Sequence, residues 1–215
     1  MNHKYSVSVC CNFFIFDVVK RVPNILSALR IILAPLFVLM YLQDAFFWAA
    51  LGLIVFIIAA LTDYLDGYYA RRYEVTSNTG VFLDPLADKF LTFAGFICIP
   101  FLDSGQFPWW VIGVIVFRDI VITALRIWSD YIGFPMQTRY SAKVKTLVQM
   151  VFLYVVLLAG AISKAGGMPG DAATALFETG ILGWFFYLVM IVTVYTGIEY
   201  LYINRRLFKS EPKNV

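Results

Sequence analysis

Asp63 and Asp66 are spaced i,i+3 and Asp84 and Asp88 i,i+4, and both pairs lie between long apolar runs. On a helix either spacing puts two side chains on one side, about a turn apart. A carboxylate at membrane depth costs several kcal/mol unless something compensates it, so acids in this setting are candidates for function. Four converging carboxylates repel one another. An all-oxygen donor set without histidine suits a hard divalent cation, Mg²⁺ or Mn²⁺, as one ion or two. The single histidine, His3, lies near the start of the chain, which leaves histidine-based acid–base or phosphohistidine chemistry little support.

What must position these acids is a pair of membrane helices. Apolar runs at 46–61 and 90–102 flank them, predicting a helical hairpin closed by a short polar turn. Asp63 lies nine residues before Arg72, and Asp88 eight residues after Gly80. At about 1.5 Å per residue both are about 12–14 Å from the shared turn. Asp66 and Asp84 are shallower, so in an antiparallel hairpin the pairs converge. Hydrophobic residues make up 61% of the chain and charged ones 14%, which excludes an ordinary soluble domain. Runs able to span a bilayer, about 20 residues each, lie near 24–42, 46–71, 80–102, 108–129, 142–162 and 180–202. The expected fold is an all-α integral membrane protein, a six-transmembrane-helix bundle (23–207) with an N-terminal interfacial helix (1–22) and a cytoplasmic tail (208–215).

Lysine and arginine are concentrated at the termini and in the second and fourth connections, while the other three connections hold only Lys164. The positive-inside rule then puts both termini and the aspartate-rich turn in the cytoplasm. The net charge of +3 belongs to a fringe facing anionic headgroups, and no nucleic-acid partner is expected. Residues 1–22 lack a small-residue cleavage site and are broken by Asn12 and Asp17. That argues against a signal peptide and for a helix lying on the membrane surface. Cys10, Cys11 and Cys98 have neither metal nor redox spacing and read as reduced thiols.

Further charges lie within the spans. Arg30 has two readings of equal weight, snorkelling to the interface or facing an anionic site. The fourth span carries Arg118, Asp119 and Arg126. The fifth opens Ser141-Ala142-Lys143-Val144-Lys145, with Ser141 as N-cap and Lys143 where helix N–H groups favour an anion. Lys143 and Lys145 point about 200° apart, so only one faces a given site. Lys143 is assigned to it and Lys145 to headgroups. Residues 166–170 with Asp171 read as a flexible outer connection. Arg30, Asp63, Asp66, Asp84, Asp88, Lys89, Arg118, Asp119 and Arg126 all fall in the cytoplasmic half or near the midplane. This distribution argues for a cavity open to cytoplasm and lipid, because a conduction path places polar groups across the whole thickness.

The pattern Asp63-x-x-Asp66-Gly67-x-x-Ala70-Arg71, eight residues, then Gly80-x-x-x-Asp84-x-x-x-Asp88 resembles the signature of the CDP-alcohol phosphatidyltransferases. The resemblance implies a six-helix membrane bundle, homodimeric, with a divalent ion at the cytoplasmic side of the inner membrane. It implies Asp63, Asp66 and Asp84 as metal ligands, with Asp88 sharing the metal and acting as general base. Gly67, Ala70 and Arg71 would line the cytidine nucleotide's seat, together with Asn24, Thr62, Asp63, Asp66 and Gly80. The segments V-P-N-I-L-S-A-L-R, L-D-P-L-A-D-K, R-D-x6-L-R and S-A-K-V-K-T-L-V-Q are similar to bacterial members that accept sn-glycerol 3-phosphate. Ala142 and Asp119 depart from them, where Gly and Glu are more usual. Arg118, Arg126 and Lys143 match positions holding the acceptor's phosphate. The implied reaction takes CDP-diacylglycerol and sn-glycerol 3-phosphate, among membrane lipids, to phosphatidylglycerophosphate and CMP.

Three alternatives stand beside this. The acceptor is instead inositol phosphate, phosphatidylglycerol or serine. Arg118 and Arg126 serve only to neutralise the acidic cluster. In a different class, the aspartates are the ion site of a cation-coupled transporter.

Overall fold

The computed structural model describes the backbone over residues 28–73, 80–132 and 140–205, and side chains over 28–62, 89–129, 131–132 and 144–205. Every regular element among these residues is helical. They are α1 (Ala28–Tyr41), α2 (Phe46–Tyr73), α3 (Gly80–Cys98) with a 3₁₀ turn at Ile99–Phe101, α4 (Trp109–Tyr131), α5 (Tyr140–Ser163), α6 (Gly167–Glu178) and α7 (Ile181–Ile203). All but α6 coincide with the six apolar runs. The interfacial helix expected at 1–22 and the tail lie outside the described residues.

The surface is inverted relative to a soluble protein. Ile54, Ile58 and Leu61 of α2, Phe117 and Ile120 of α4, Leu147 and Val151 of α5, and Trp184, Ile191 and Ile198 of α7 are exposed, whereas Arg30, Asp119, Lys145, Gln149 and Thr193 are buried. Apolar surface on this scale needs a lipid environment, and charged groups then turn inward. This is a membrane protein. Among the described residues, Val144–Ser163 and Ile181–Ile203 are long and apolar enough to cross a bilayer by themselves, and the apolar stretches Ala28–Tyr41, Phe46–Thr62 and Lys89–Phe101 are shorter.

α5 packs against α2, α3, α6 and α7, and α4 against α3 and α7. The core is largely aromatic. Phe37 of α1 meets Phe56 of α2 at 4.8 Å between ring centroids, Phe152 of α5 stacks on Phe186 of α7 at 5.7 Å, and Phe107 meets Phe186 edge-on at 5.4 Å. At one end of the bundle the Tyr41 hydroxyl donates to the Leu157 carbonyl (2.7 Å), and Lys164 Nζ donates to the carbonyls of Tyr41 (2.9 Å) and Gln43 (2.7 Å). These bonds fasten the end of α1 to α5.

The flexible connection expected at 166–170 is corrected: from Gly167 onward the chain is helix α6. Gly166 and Gly167 take φ of 70° and 66°, left-handed values that glycine adopts without strain. There the chain reverses and lays α6 back on α5. Gly170 and Ala173 are buried, and Leu176 and Phe177 pack against the core, a helical i, i+3, i+6, i+7 stripe. Gln106 Nε2 secures this end by donating to the Phe177 carbonyl at 2.6 Å.

Candidate active site

α2 continues unbroken to Tyr73, so Thr62, Asp63, Asp66, Gly67, Ala70 and Arg71 share one helix. α3 begins at Gly80 and carries Asp84 and Asp88 in its first turns. The two helices pack together, forming the expected hairpin. Asp63 stands ten residues before the end of α2 and Asp88 eight after the start of α3, about 12–15 Å along each helix. The four carboxylates, with no thiolate or imidazole among them, are the hard donor set that Mg²⁺ or Mn²⁺ prefers. Asn24 and the side chains of Asp63, Asp66, Ala70, Arg71, Asp84, Asp88 and Lys143 lie outside the described residues. Thr62 is described. Its hydroxyl donates to the Ala59 carbonyl at 2.7 Å, with the Ile58 carbonyl at 3.1 Å. The proton is used within its own helix, so Thr62 offers a ligand only an acceptor.

Beside this hairpin lies a buried charge cluster centred on Asp119 of α4. Lys145 Nζ, from α5, donates to Asp119 Oδ1 at 2.5 Å, and Arg118 Nη1 reaches the same oxygen at 3.0 Å. Lys89 Nζ, from α3, is 4.0 Å from Oδ2, and Gln149 Nε2 is 3.5 Å from it. Arg118 Nη2 donates to Thr196 Oγ1 of α7 at 3.1 Å. Three helices therefore meet at one carboxylate, and α7 joins them through Arg118. Among the described side chains of this cluster, three are cations and one is an anion. Arg30 is 1% exposed, which does not fit snorkelling to the interface.

Arg126 is exposed although it falls on the same helical face as the buried Asp119, Ile122 and Ser129. The assignment of Lys145 to headgroups is corrected. Its side chain is 2% exposed and bonded to Asp119, because that side of α5 faces the bundle interior. Asp119, Lys89, Lys145, Gln149 and Thr196 were all missed as site residues. Lys145 and Gln149, i,i+4 in an otherwise apolar helix, were the available signal.

The aspartate pattern and, apart from Thr196, the Asp119 cluster fall within residues 20–195, which match the model of the CDP-alcohol phosphatidyltransferase family. The chain belongs to this family. The CDP-diacylglycerol–glycerol-3-phosphate 3-phosphatidyltransferase of Bacillus subtilis is 34% identical over 180 residues, covering 76% of this chain and 92% of the relative. That of Sodalis glossinidius is 32% identical over 191 residues, covering 86% and 95%. That of Escherichia coli K12 is 35% identical over 138 residues, covering 62% and 74%. In this CDP-alcohol phosphatidyltransferase Lys89, which reaches Asp119, directly follows Asp88 on α3.

Proposed function

We infer that this chain transfers the phosphatidyl group of CDP-diacylglycerol to sn-glycerol 3-phosphate, giving phosphatidylglycerophosphate and CMP. Family membership and relatives carrying that activity in their names support the reading. The observation that carries the choice of acceptor is the pair of buried or half-buried cations, Arg118 and Lys145, gathered on the one carboxylate of Asp119 among the described residues. An acceptor that brings its own phosphate suits this surplus. Serine would not call for it.

On this reading Asp63, Asp66, Asp84 and Asp88 hold one or two Mg²⁺ or Mn²⁺ ions. When bound, such an ion offsets the negative charge that develops on the departing CMP. Gly67 and Ala70 leave room for the nucleotide against α2, with Asn24, Thr62, Arg71 and Gly80 around it. Arg118 and Arg126 hold the acceptor phosphate and so orient the glycerol hydroxyl, while Lys143, about 200° around α5 from the inward-facing Lys145, is not assigned to that pocket. Asp88 takes the proton of that hydroxyl as its oxygen attacks the phosphorus next to diacylglycerol. The new P–O bond forms as the pyrophosphate P–O bond breaks and CMP departs. α1 to α5 and α7 cross the inner membrane with both termini and the site cytoplasmic, in a homodimer, as the lysine and arginine distribution supports for the orientation.

Purified protein supplied with CDP-diacylglycerol and one acceptor at a time tests this. CMP release with sn-glycerol 3-phosphate, and not with inositol phosphate, phosphatidylglycerol or serine, is expected. Release with serine alone overturns the assignment.

A further inference from the structure

Asp119, Thr196 and Gly197 take no part in the transfer as described, yet they decide where Arg118 can lie. An arginine side chain free to sample its rotamers loses that freedom on gripping a phosphate. Here it is already held at both ends of its fork, Nη1 by Asp119 Oδ1 (3.0 Å) and Nη2 by Thr196 Oγ1 (3.1 Å). Thr196 is itself oriented. Its hydroxyl donates to the Val192 carbonyl at 2.8 Å, which leaves the oxygen lone pairs for the guanidinium. The stem of Arg118 lies against Gly197, where a Cβ would come within 3.0 Å of both Cγ and Nε. Only a glycine leaves that track open. Asp119 is in turn fixed from α5 by Lys145 and Gln149. The buried Nε of Arg118 has no hydrogen-bond partner among the described residues.

We propose that Asp119, Thr196 and Gly197 are positioning residues that hold the Arg118 guanidinium ready for the acceptor's phosphate, so that α7 and α4 together set acceptor affinity. This rests on reading Arg118 as a phosphate ligand. Asp119 supplies one negative charge to the two cations bonded to it, Arg118 and Lys145, enough to orient Arg118 without cancelling the attraction for a phosphate dianion.

The test is steady-state kinetics of the full chain in micelles containing CDP-diacylglycerol, with sn-glycerol 3-phosphate varied. Gly197→Ala displaces only a flexible arginine stem, so the fold survives. It is expected to raise the KM for sn-glycerol 3-phosphate about tenfold or more, the scale of a lost hydrogen bond to a charged group, while the KM for CDP-diacylglycerol stays within about twofold. Thr196→Val moves the acceptor KM in the same direction by less. Asp119→Asn raises it, and Asp119→Glu, which keeps the charge, restores most of the loss. An acceptor KM unmoved in both Gly197→Ala and Thr196→Val, or an equal rise for both substrates, overturns the proposal. Arg118→Ala separates the two layers. If it leaves the acceptor KM unchanged, the phosphate-ligand reading fails. If it raises that KM while the α7 variants do not, the positioning role alone fails.

Discussion

Asp88 and Lys145 show how differently two charged residues of one site are expected to respond. Asp88→Asn keeps the shape but cannot accept a proton, so turnover falls by about 10²–10⁴-fold, the usual worth of a general base. Binding of the cytidine nucleotide is partly kept, which titration with CMP would check. Retained turnover would remove Asp88 from the mechanism. Lys145→Met acts on stability first, because Lys145 and Asp119 are both almost fully buried. Breaking an isolated buried pair costs about 3–5 kcal/mol. Here the loss should be smaller, since Arg118 still bonds the same oxygen. Thermal unfolding in detergent measures it, and an unshifted transition would mean that the pair contributes nothing net.

At the scale of elements, the end of the bundle away from the aspartates is held by backbone carbonyls and one ammonium. Lys164, one residue past α5, donates to the carbonyls of Tyr41 and Gln43, just beyond the reach of α1's own helical bonding. Partial burial lowers the Lys164 pKa, with Asp44 and Cys98 opposing, so desolvation offsets part of what the two bonds contribute. Lys164→Met is therefore expected to cost about 1 kcal/mol, seen as a lower unfolding temperature. The KM for either substrate should not change, because the site lies toward the opposite ends of α2 and α3. α6 belongs to the same end and closes it by packing Gly170 and Ala173 inward.

For the whole molecule, the metal and the orientation are the properties to test. Removal of divalent ions with EDTA should abolish CMP release, and added Mg²⁺ or Mn²⁺ should restore it. Full activity after exhaustive chelation would contradict the role given to the four aspartates. Orientation can be checked in intact spheroplasts with the native cysteines replaced. A cysteine at Asp171 on α6 should react with a membrane-impermeant maleimide from outside, and one at Lys209 should not. The reverse pattern would put the site on the wrong side for a cytoplasmic acceptor.

How much of this was legible beforehand follows from what lipid does to sequence. Long apolar runs mark helices that live in lipid, so every described helix but the twelve-residue α6 could be placed approximately. The aspartate pattern is local, so its place on α2 and α3 followed from spacing alone. Direction was barely legible. A helix in lipid is apolar over most of its surface, and beyond the divergence of Lys143 and Lys145 the i,i+4 pair Lys145 and Gln149 was the one hint of the inward face of α5. Packing of α5 against its neighbours selected Lys145 for the interior. In the same way only the assembled bundle brought Thr196 and Gly197 to Arg118, some eighty residues away along the chain. The sequence determined that this protein lives in a membrane, roughly where every described helix but α6 lies, and which acids share a helix. Which buried charges meet was left to the tertiary structure, because that depends on how uniformly apolar cylinders rotate against one another, and shape complementarity decides it.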